Sequence, residues 1–196
     1  MKRLSFAVLG IIFFCAFTQV CRAESPEVLA SQGTGKQLAS GAYFNVYAEG
    51  GIDAYAVLGK IDFNYLVYAQ GGPQQGESVS DILSKTLDGL YQEVSDILDI
   101  HIYSFKGAIQ VLPDQPALSS FFKNAYNVDF NERSLYYFEK DTIYISLADM
   151  NVGILGHEIA HAIISHFFVV PPPAKIQEVL CGYVEYSLRK TRGSLP

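Results

Sequence analysis

Residues 157–161 read His-Glu-Ile-Ala-His, a spacing that suits metal chemistry. Two residues four apart on a helix lie about one turn from each other on the same face, so both imidazoles can reach a single ion. Histidine nitrogens are common zinc ligands, and the glutamate between them is left to act on a water molecule. The pattern predicts His157 and His161 as zinc ligands and Glu158 as the general base of a zinc-dependent hydrolase.

The motif lies in a segment, residues 152–168, that is apolar on nearly every side and predicts a buried helix. Asp149 or Asn151 could cap its start, since either side chain can accept a hydrogen bond from the free amides of the first turn. Burying a carboxylate without a partner costs roughly several kcal/mol of folding free energy. Two histidines and a glutamate in such a helix therefore need strong partners. A metal ion would serve all three.

A zinc site of this kind needs a third protein ligand, and Glu178 is the candidate. It follows Pro171–Pro173, which must end the first helix, and it falls in the first turn of a second predicted helix, residues 174–190. A helical hairpin can return that turn to the metal. Glu185 is the alternative, but it lies about 10 Å further along the helix, so it is better placed to support a ligand than to bind.

The remaining two histidines have no expected metal role. His166 is five residues beyond His161 and points elsewhere on the helix. His101 falls within a predicted strand and is expected to be a structural histidine.

The stretch TIYISLADMNVGILGHEIAHAII, followed by IQEVLCGYVEYSLRK, resembles the gluzincin group of zincin metallopeptidases, and within it small secreted bacterial peptidases. The resemblance covers mainly residues 142–190. It implies one zinc ion held by His157, His161 and Glu178, with Glu158 as the base in peptide-bond hydrolysis.

One position departs from the gluzincin pattern. Many gluzincins carry an aspartate four residues after the ligand glutamate to orient a histidine, but residue 182 is Gly. The resemblance then requires that support from elsewhere, such as Glu185 or a tyrosine. Zincins often add a Tyr or His donor for the oxyanion, and here Tyr183 and Tyr186 are the candidates.

The strand before the motif, Thr142 to Leu147, alternates and is rich in β-branched and aromatic residues. In zincins this strand lies at the sheet edge along the cleft, where an extended polypeptide substrate can pair with it. The resemblance therefore implies Tyr144 and Ser146 as substrate-strand residues. An interior strand is the alternative.

The N-terminus predicts export to the periplasm or beyond the cell. A basic start, an apolar stretch of about 14 residues and Cys21-Arg22-Ala23 together describe a signal peptide, residues 1–23. An uncleaved anchor is the alternative. Residues 24–41 are small and polar and predict a flexible lead-in, and residues 42–196 predict a single zincin-like domain.

The net charge limits the classes of partner that we expect, and the cysteine content limits the possible disulfides. The formal charge is −6, and loss of residues 1–23 would make it −9, which argues against nucleic acid and against an anionic membrane surface. Cleavage would also leave Cys181 alone, so no intrachain disulfide is expected. We expect no stable membrane insertion of the mature chain, and the sequence leaves its oligomeric state open.

The periodicities predict an α+β fold, with a twisted mixed sheet packed on helices, an active-site helix and a following glutamate-bearing helix. Two functional classes fit this plan. One is a zinc peptidase, and the other is a catalytically silent zincin-fold protein with a binding or regulatory role in the periplasm.

Overall fold

The computed structural model describes residues 33–61 and 75–191, so the predicted signal peptide lies outside the described residues. The fold is α+β, with one five-stranded mixed sheet and five α-helices in the described ranges. The strands are β1 (Lys36–Ser40), β2 (Phe44–Ala48), β3 (Gly107–Leu112), β4 (Ser134–Tyr137) and β5 (Thr142–Ser146). The helices are α1 (Ala54–Leu58), α2 (Val79–Leu98), α3 (Gln115–Tyr126), α4 (Val152–Phe167) and α5 (Ala174–Thr191), and Phe138–Lys140 form a 3₁₀ turn.

The strands lie in the order β1-β2-β3-β5-β4. The inner pairs β2–β3 and β3–β5 are parallel, whereas β1 and β4 each pair antiparallel at an edge. β5 is therefore an interior strand, in which Tyr144 pairs with Gln110 on one side and Leu135 on the other. The free edge nearest to α4 is β4.

Two stretches differ from the prediction. β1 lies within residues 24–41, which were expected to be a flexible lead-in, and it pairs with β2 from Lys36 onward. His101 was expected in a strand, but β3 begins only at Gly107. The ring of His101 instead contacts Asp96 at 2.9 Å, at the exposed end of α2.

Side chains of β5 alternate between two hydrophobic clusters. Ile143 and Ile145 are fully buried in the main core, which also includes residues of α2, α4 and α5. Tyr144 points to the opposite face of the sheet, where it packs with Leu118 and Phe122 of α3. The sheet thus has helices on both faces, and α4 and α5 belong to the same layer.

The start and end of α4 are set by local chemistry. Asn151 is the N-cap, and its side chain accepts a hydrogen bond from the Ile154 N–H at 3.1 Å. Pro171–Pro173 separate α4 from α5, because proline cannot continue a helix. Within the described ranges, no helix combines the length and apolar character needed to cross a bilayer.

Two glycines allow α5 to lie close against α4. A Cβ on Gly156 would lie 2.1 Å from Cδ1 of Leu188, and a Cβ on Gly153 would lie 3.0 Å from Cγ of Glu185. These two glycines lie about one turn apart on α4. Their lack of side chains therefore determines how closely α5 approaches the motif that begins at residue 157.

Candidate metal centre

His157 and His161 lie on the side of α4 that faces α5. Their ring centroids are 5.0 Å apart, and about a fifth of each side chain is exposed. The one-turn spacing of the motif brings the two imidazoles together, as the sequence predicted.

The Glu178 carboxylate, in the first half of α5, reaches both rings. Nε2 of His157 lies 3.4 Å from Oε2 of Glu178, and Nε2 of His161 lies 3.4 Å from Oε1. These separations are longer than good hydrogen bonds. Two ligands that each lie about 2.0–2.1 Å from one tetrahedral zinc ion would be separated by about 3.4 Å. The donor set therefore fits a zinc ion.

Glu185 lies behind His157 rather than beside both histidines. Its Oε2 is 3.6 Å from Nδ1 of His157, a buried nitrogen that has no hydrogen-bond partner in the described part of the chain. A metal-ligating imidazole usually donates its other N–H to a carboxylate or carbonyl. Gly182, the position that carries an aspartate in many gluzincins, has no atom near its missing Cβ. Glu185 thus stands where that support would be needed.

Cys181 is a third soft donor that the sequence analysis did not consider for the metal. Its sulfur and the ring nitrogens of His157 and His161 all lie within 4.8 Å of one another. Its side chain is fully buried in the main core, and burial raises the pKa of its thiol. Glu178 lines the cleft above the histidines, whereas Cys181 does not. Its position three residues after Glu178 on the same helix was the available signal.

Glu158 is tied to the edge strand. The Ser134 hydroxyl donates to its Oε1 at 2.7 Å, and the Tyr136 N–H donates to its Oε2 at 2.8 Å. Sequence reasoning gave no role to Ser134 or Tyr136, because nothing local in the sequence shows which strand will face the motif. Each carboxylate oxygen has a second lone pair, so these contacts leave Glu158 able to accept a proton.

Burial is the main cause that raises the pKa of Glu158 above its ordinary value. The hydrogen bond from Ser134 is the largest opposing influence, and the negative charge of Glu178 adds to the rise. A higher pKa makes a carboxylate a stronger base toward a nearby proton donor.

A cleft of about 450 Å³ opens over these groups. Its lining includes two histidines, four glutamates and one arginine: His157, His161, Glu132, Glu158, Glu178, Glu185 and Arg133. This excess of carboxylates favours a divalent cation. A neighbouring cavity of about 390 Å³ shares Arg133, Ile154 and Glu185 with the cleft and extends it toward Arg189.

Four predicted residues lie away from the cleft. Tyr144 and Ser146 are on the interior strand β5; the tyrosine is buried on the far face, and the Ser146 hydroxyl donates to Asp149. The expectation that they form a substrate edge was wrong, because β4 covers that side of β5. Tyr183 and Tyr186 are more than half exposed on α5 and do not line the cleft, so neither is positioned as an oxyanion donor.

His166, near the end of α4, belongs to a separate network. Its Nε2 lies 2.8 Å from Oδ1 of Asp141 and 3.0 Å from the Tyr136 hydroxyl. Tyr136 therefore joins β4 to α4 twice, through its N–H to Glu158 and through its hydroxyl to His166.

No family model, curated protein or solved structure matches this chain. The functional assignment accordingly depends on the residues and geometry of the cleft.

Proposed function

We propose that this protein is a zinc-dependent peptidase with a zincin-like site, in which His157, His161 and Glu178 hold one zinc ion and Glu158 is the general base. The observation that carries the proposal is the Glu178 carboxylate at 3.4 Å from Nε2 of both histidines, in the lining of a cleft that Glu158 also lines.

When bound, zinc would supply Lewis-acid activation of a water molecule and of the scissile carbonyl. The chain's own groups hold that ion and orient its ligands. The carboxylate of Glu185 lies 3.6 Å from Nδ1 of His157. A closer approach of these two atoms would let Glu185 accept the Nδ1 proton, which would fix the tautomer that leaves Nε2 free to ligate.

Glu158 moves the proton. It accepts a proton from the attacking water and then gives it to the leaving amine. Ser134 and Tyr136 restrict its rotation, so the carboxylate does not have to be ordered when substrate binds.

A polypeptide substrate would bind along the edge strand β4. Tyr136 turns its N–H away from β5 and toward Glu158, and Ser134, two residues earlier, has the same orientation. The backbone of Ser134 and the carbonyl of Tyr136 are thus directed to the cleft side, where an extended chain can pair with them. Pairing through backbone groups alone would tolerate many substrate sequences.

The decisive experiment combines zinc content with proteolysis for two variants. Glu158→Gln should keep about one zinc per chain and lose cleavage of an unfolded protein substrate such as casein, because the amide cannot accept the proton. His157→Ala should lose both. Cleavage by Glu158→Gln at the wild-type rate would overturn the proposed mechanism.

A catalytically silent binding or regulatory protein is the second candidate. The observation that favours it is the pair of hydrogen bonds that give Glu158 a structural task in joining α4 to β4. Under this alternative, wild type would bind zinc and bind an extended peptide without cleaving it. Mass spectrometry of a peptide library after incubation with the zinc-loaded chain separates the two.

A further inference from the structure

An unusually apolar surface lies on the tip and outer side of the helical hairpin. Among the described residues, twelve large hydrophobic side chains are exposed, and eight of them fall between residues 167 and 186. We call these eight the hairpin apolar surface: Phe167, Phe168, Val169, Val170, Ile176, Val179, Tyr183 and Tyr186. A soluble monomer rarely gathers so many in one place without a partner.

The part of this surface on α5 is a second apolar face of that helix. Cys181, Val184 and Leu188 pack inward against α4, while Ile176, Val179, Tyr183 and Tyr186 lie on the opposite side. At 100° per residue these four fall within an arc of about 80°. Core packing does not use this arc, so its apolar character needs another explanation.

The tip of the hairpin carries no charge. Val169 and Val170 are 101% and 81% exposed, and the three prolines that follow have no N–H to satisfy. The prolines therefore add no backbone donors that a lipid phase would leave unpaired. Phe138 is also exposed, and its ring centroid lies 5.6 Å from that of His166, the residue before Phe167.

The charged side chains of α5 at the margins of the surface favour a phospholipid bilayer as its partner. The outer side of α5 bears Lys175 near one end and Lys190 near the other, both exposed, and Lys190 lies 6.0 Å from the ring centroid of Tyr186. The two carboxylates of α5, Glu178 and Glu185, are turned toward the histidines instead. Lysines and tyrosines around an apolar centre match the phosphate and glycerol level of a bilayer.

The same charges disfavour a second copy of this chain. If two α5 helices packed through their outer faces, lysine would meet lysine whether they ran parallel or antiparallel, because that face has no carboxylate to pair with either. A phospholipid surface instead offers phosphates to both.

We infer that the hairpin apolar surface adsorbs to a phospholipid bilayer, with Val169 and Val170 below the headgroups and Lys175 and Lys190 among the phosphates. The helix would lie on the bilayer rather than span it. The acidic charge of the whole chain predicted no anionic membrane partner, but that charge is a sum over the molecule and is not carried by this face. Phe138, whose ring lies near that of His166 just before the surface begins, also lines the cleft, so an adsorbed molecule would have its site close to the bilayer.

A single introduced tryptophan tests this contact directly, because the chain contains none. Val170→Trp in the full chain should show a blue-shifted emission when phosphatidylcholine vesicles are added, and quenching by lipids brominated in their acyl chains. Tyr103→Trp is the matched control, since Tyr103 is 80% exposed and lies outside the hairpin. Its emission should not change, even if the N-terminal apolar segment anchors the chain.

Two further variants link the signal to the proposed residues. Val169→Asp in the Val170→Trp background should abolish the quenching, with an unchanged circular dichroism spectrum as the check on folding. Each of Lys175→Gln and Lys190→Gln should reduce partitioning onto vesicles with 30 mol % phosphatidylglycerol by about fivefold.

Equal responses of Val170→Trp and Tyr103→Trp would overturn the inference. A blue shift of Val170→Trp that grows with protein concentration and needs no vesicles would also overturn it, and would assign the surface to a second copy. Neither result depends on whether the protein cleaves peptides.

Discussion

The Ser134 hydroxyl donates a 2.7 Å hydrogen bond to Oε1 of Glu158, and this contact ties the edge strand β4 to the helix that carries both histidines. Ser134→Ala should therefore lower the free energy of unfolding of the metal-free protein by about 1.5–3 kcal/mol, because a buried carboxylate loses a donor. It should also lower kcat, since Glu158 gains freedom to turn, while zinc content stays at wild type. Urea unfolding measures the loss of stability, cleavage of casein measures kcat, and zinc analysis checks the metal content.

Ser165→Ala is the matched control for this variant. Ser165 also lines the cleft, but it makes no hydrogen bond to Glu158. If both serine variants lost the same stability and activity, the link between β4 and Glu158 would not be the cause.

The identity of the third ligand predicts an order of zinc affinities. Glu178→Gln should weaken zinc binding most, because it removes the carboxylate that lies 3.4 Å from both histidines. Glu185→Gln should weaken it by about 10–100-fold, as expected for loss of a group that orients a ligand. Cys181→Ala should change it least. Competition against a zinc-binding dye ranks the three, and a largest loss for Cys181→Ala would reassign the third ligand to the thiol.

Metal binding should also stabilise the fold. Four glutamates line the cleft, so the metal-free site gathers like charges that a divalent cation would relieve. At zinc concentrations about 100-fold above Kd, the free energy of unfolding should rise by about 2.7 kcal/mol. Chemical unfolding with and without a chelator measures the difference. A His157→Ala, His161→Ala double variant should show none, and an equal rise in that variant would place the stabilising zinc elsewhere.

The convergence of His157, His161 and Glu178 could be predicted from the sequence because it depends on local features. The histidine spacing and the prolines at 171–173 act within one or two helices, and they predicted α4, α5 and the placement of Glu178. α2 is local in the same sense, because its apolar residues recur with a period close to 3.6 residues.

The order of the strands in the sheet could not be predicted from the sequence, because it depends on contacts between segments that are distant along the chain. The run from Thr142 has the alternation of any half-buried strand, and nothing in it distinguishes an interior strand from an edge. In the structure β4 is the edge strand: Ser134–Tyr137 pair antiparallel with β5, and no strand pairs with their other side among the described residues. The resemblance to zincins assigned the edge to the wrong strand, and the contacts of Ser134 and Tyr136 with Glu158 were missed as a consequence.

The approach of α5 to α4 gives the last prediction, through two glycines with opposite surroundings. A Cβ at Gly156 would meet Cδ1 of the fully buried Leu188 at 2.1 Å, whereas a Cβ at Gly182 would meet nothing within 4 Å. Gly182→Ala should raise the free energy of unfolding by about 0.5–1 kcal/mol through helix propensity alone. Gly156→Ala should lower it, because overpacking costs about 1–3 kcal/mol and exceeds that gain.

Gly156→Ala should also weaken zinc binding, since moving α5 outward carries Glu178 away from the histidines. Adding Leu188→Ala makes room for the new methyl group and should restore zinc affinity, although the cavity it leaves keeps the double variant less stable than wild type. Urea unfolding and zinc titration of the single and double variants separate the two effects. If zinc affinity fell in Gly156→Ala and did not recover in the double variant, the distance between the helices would not be what sets the metal site.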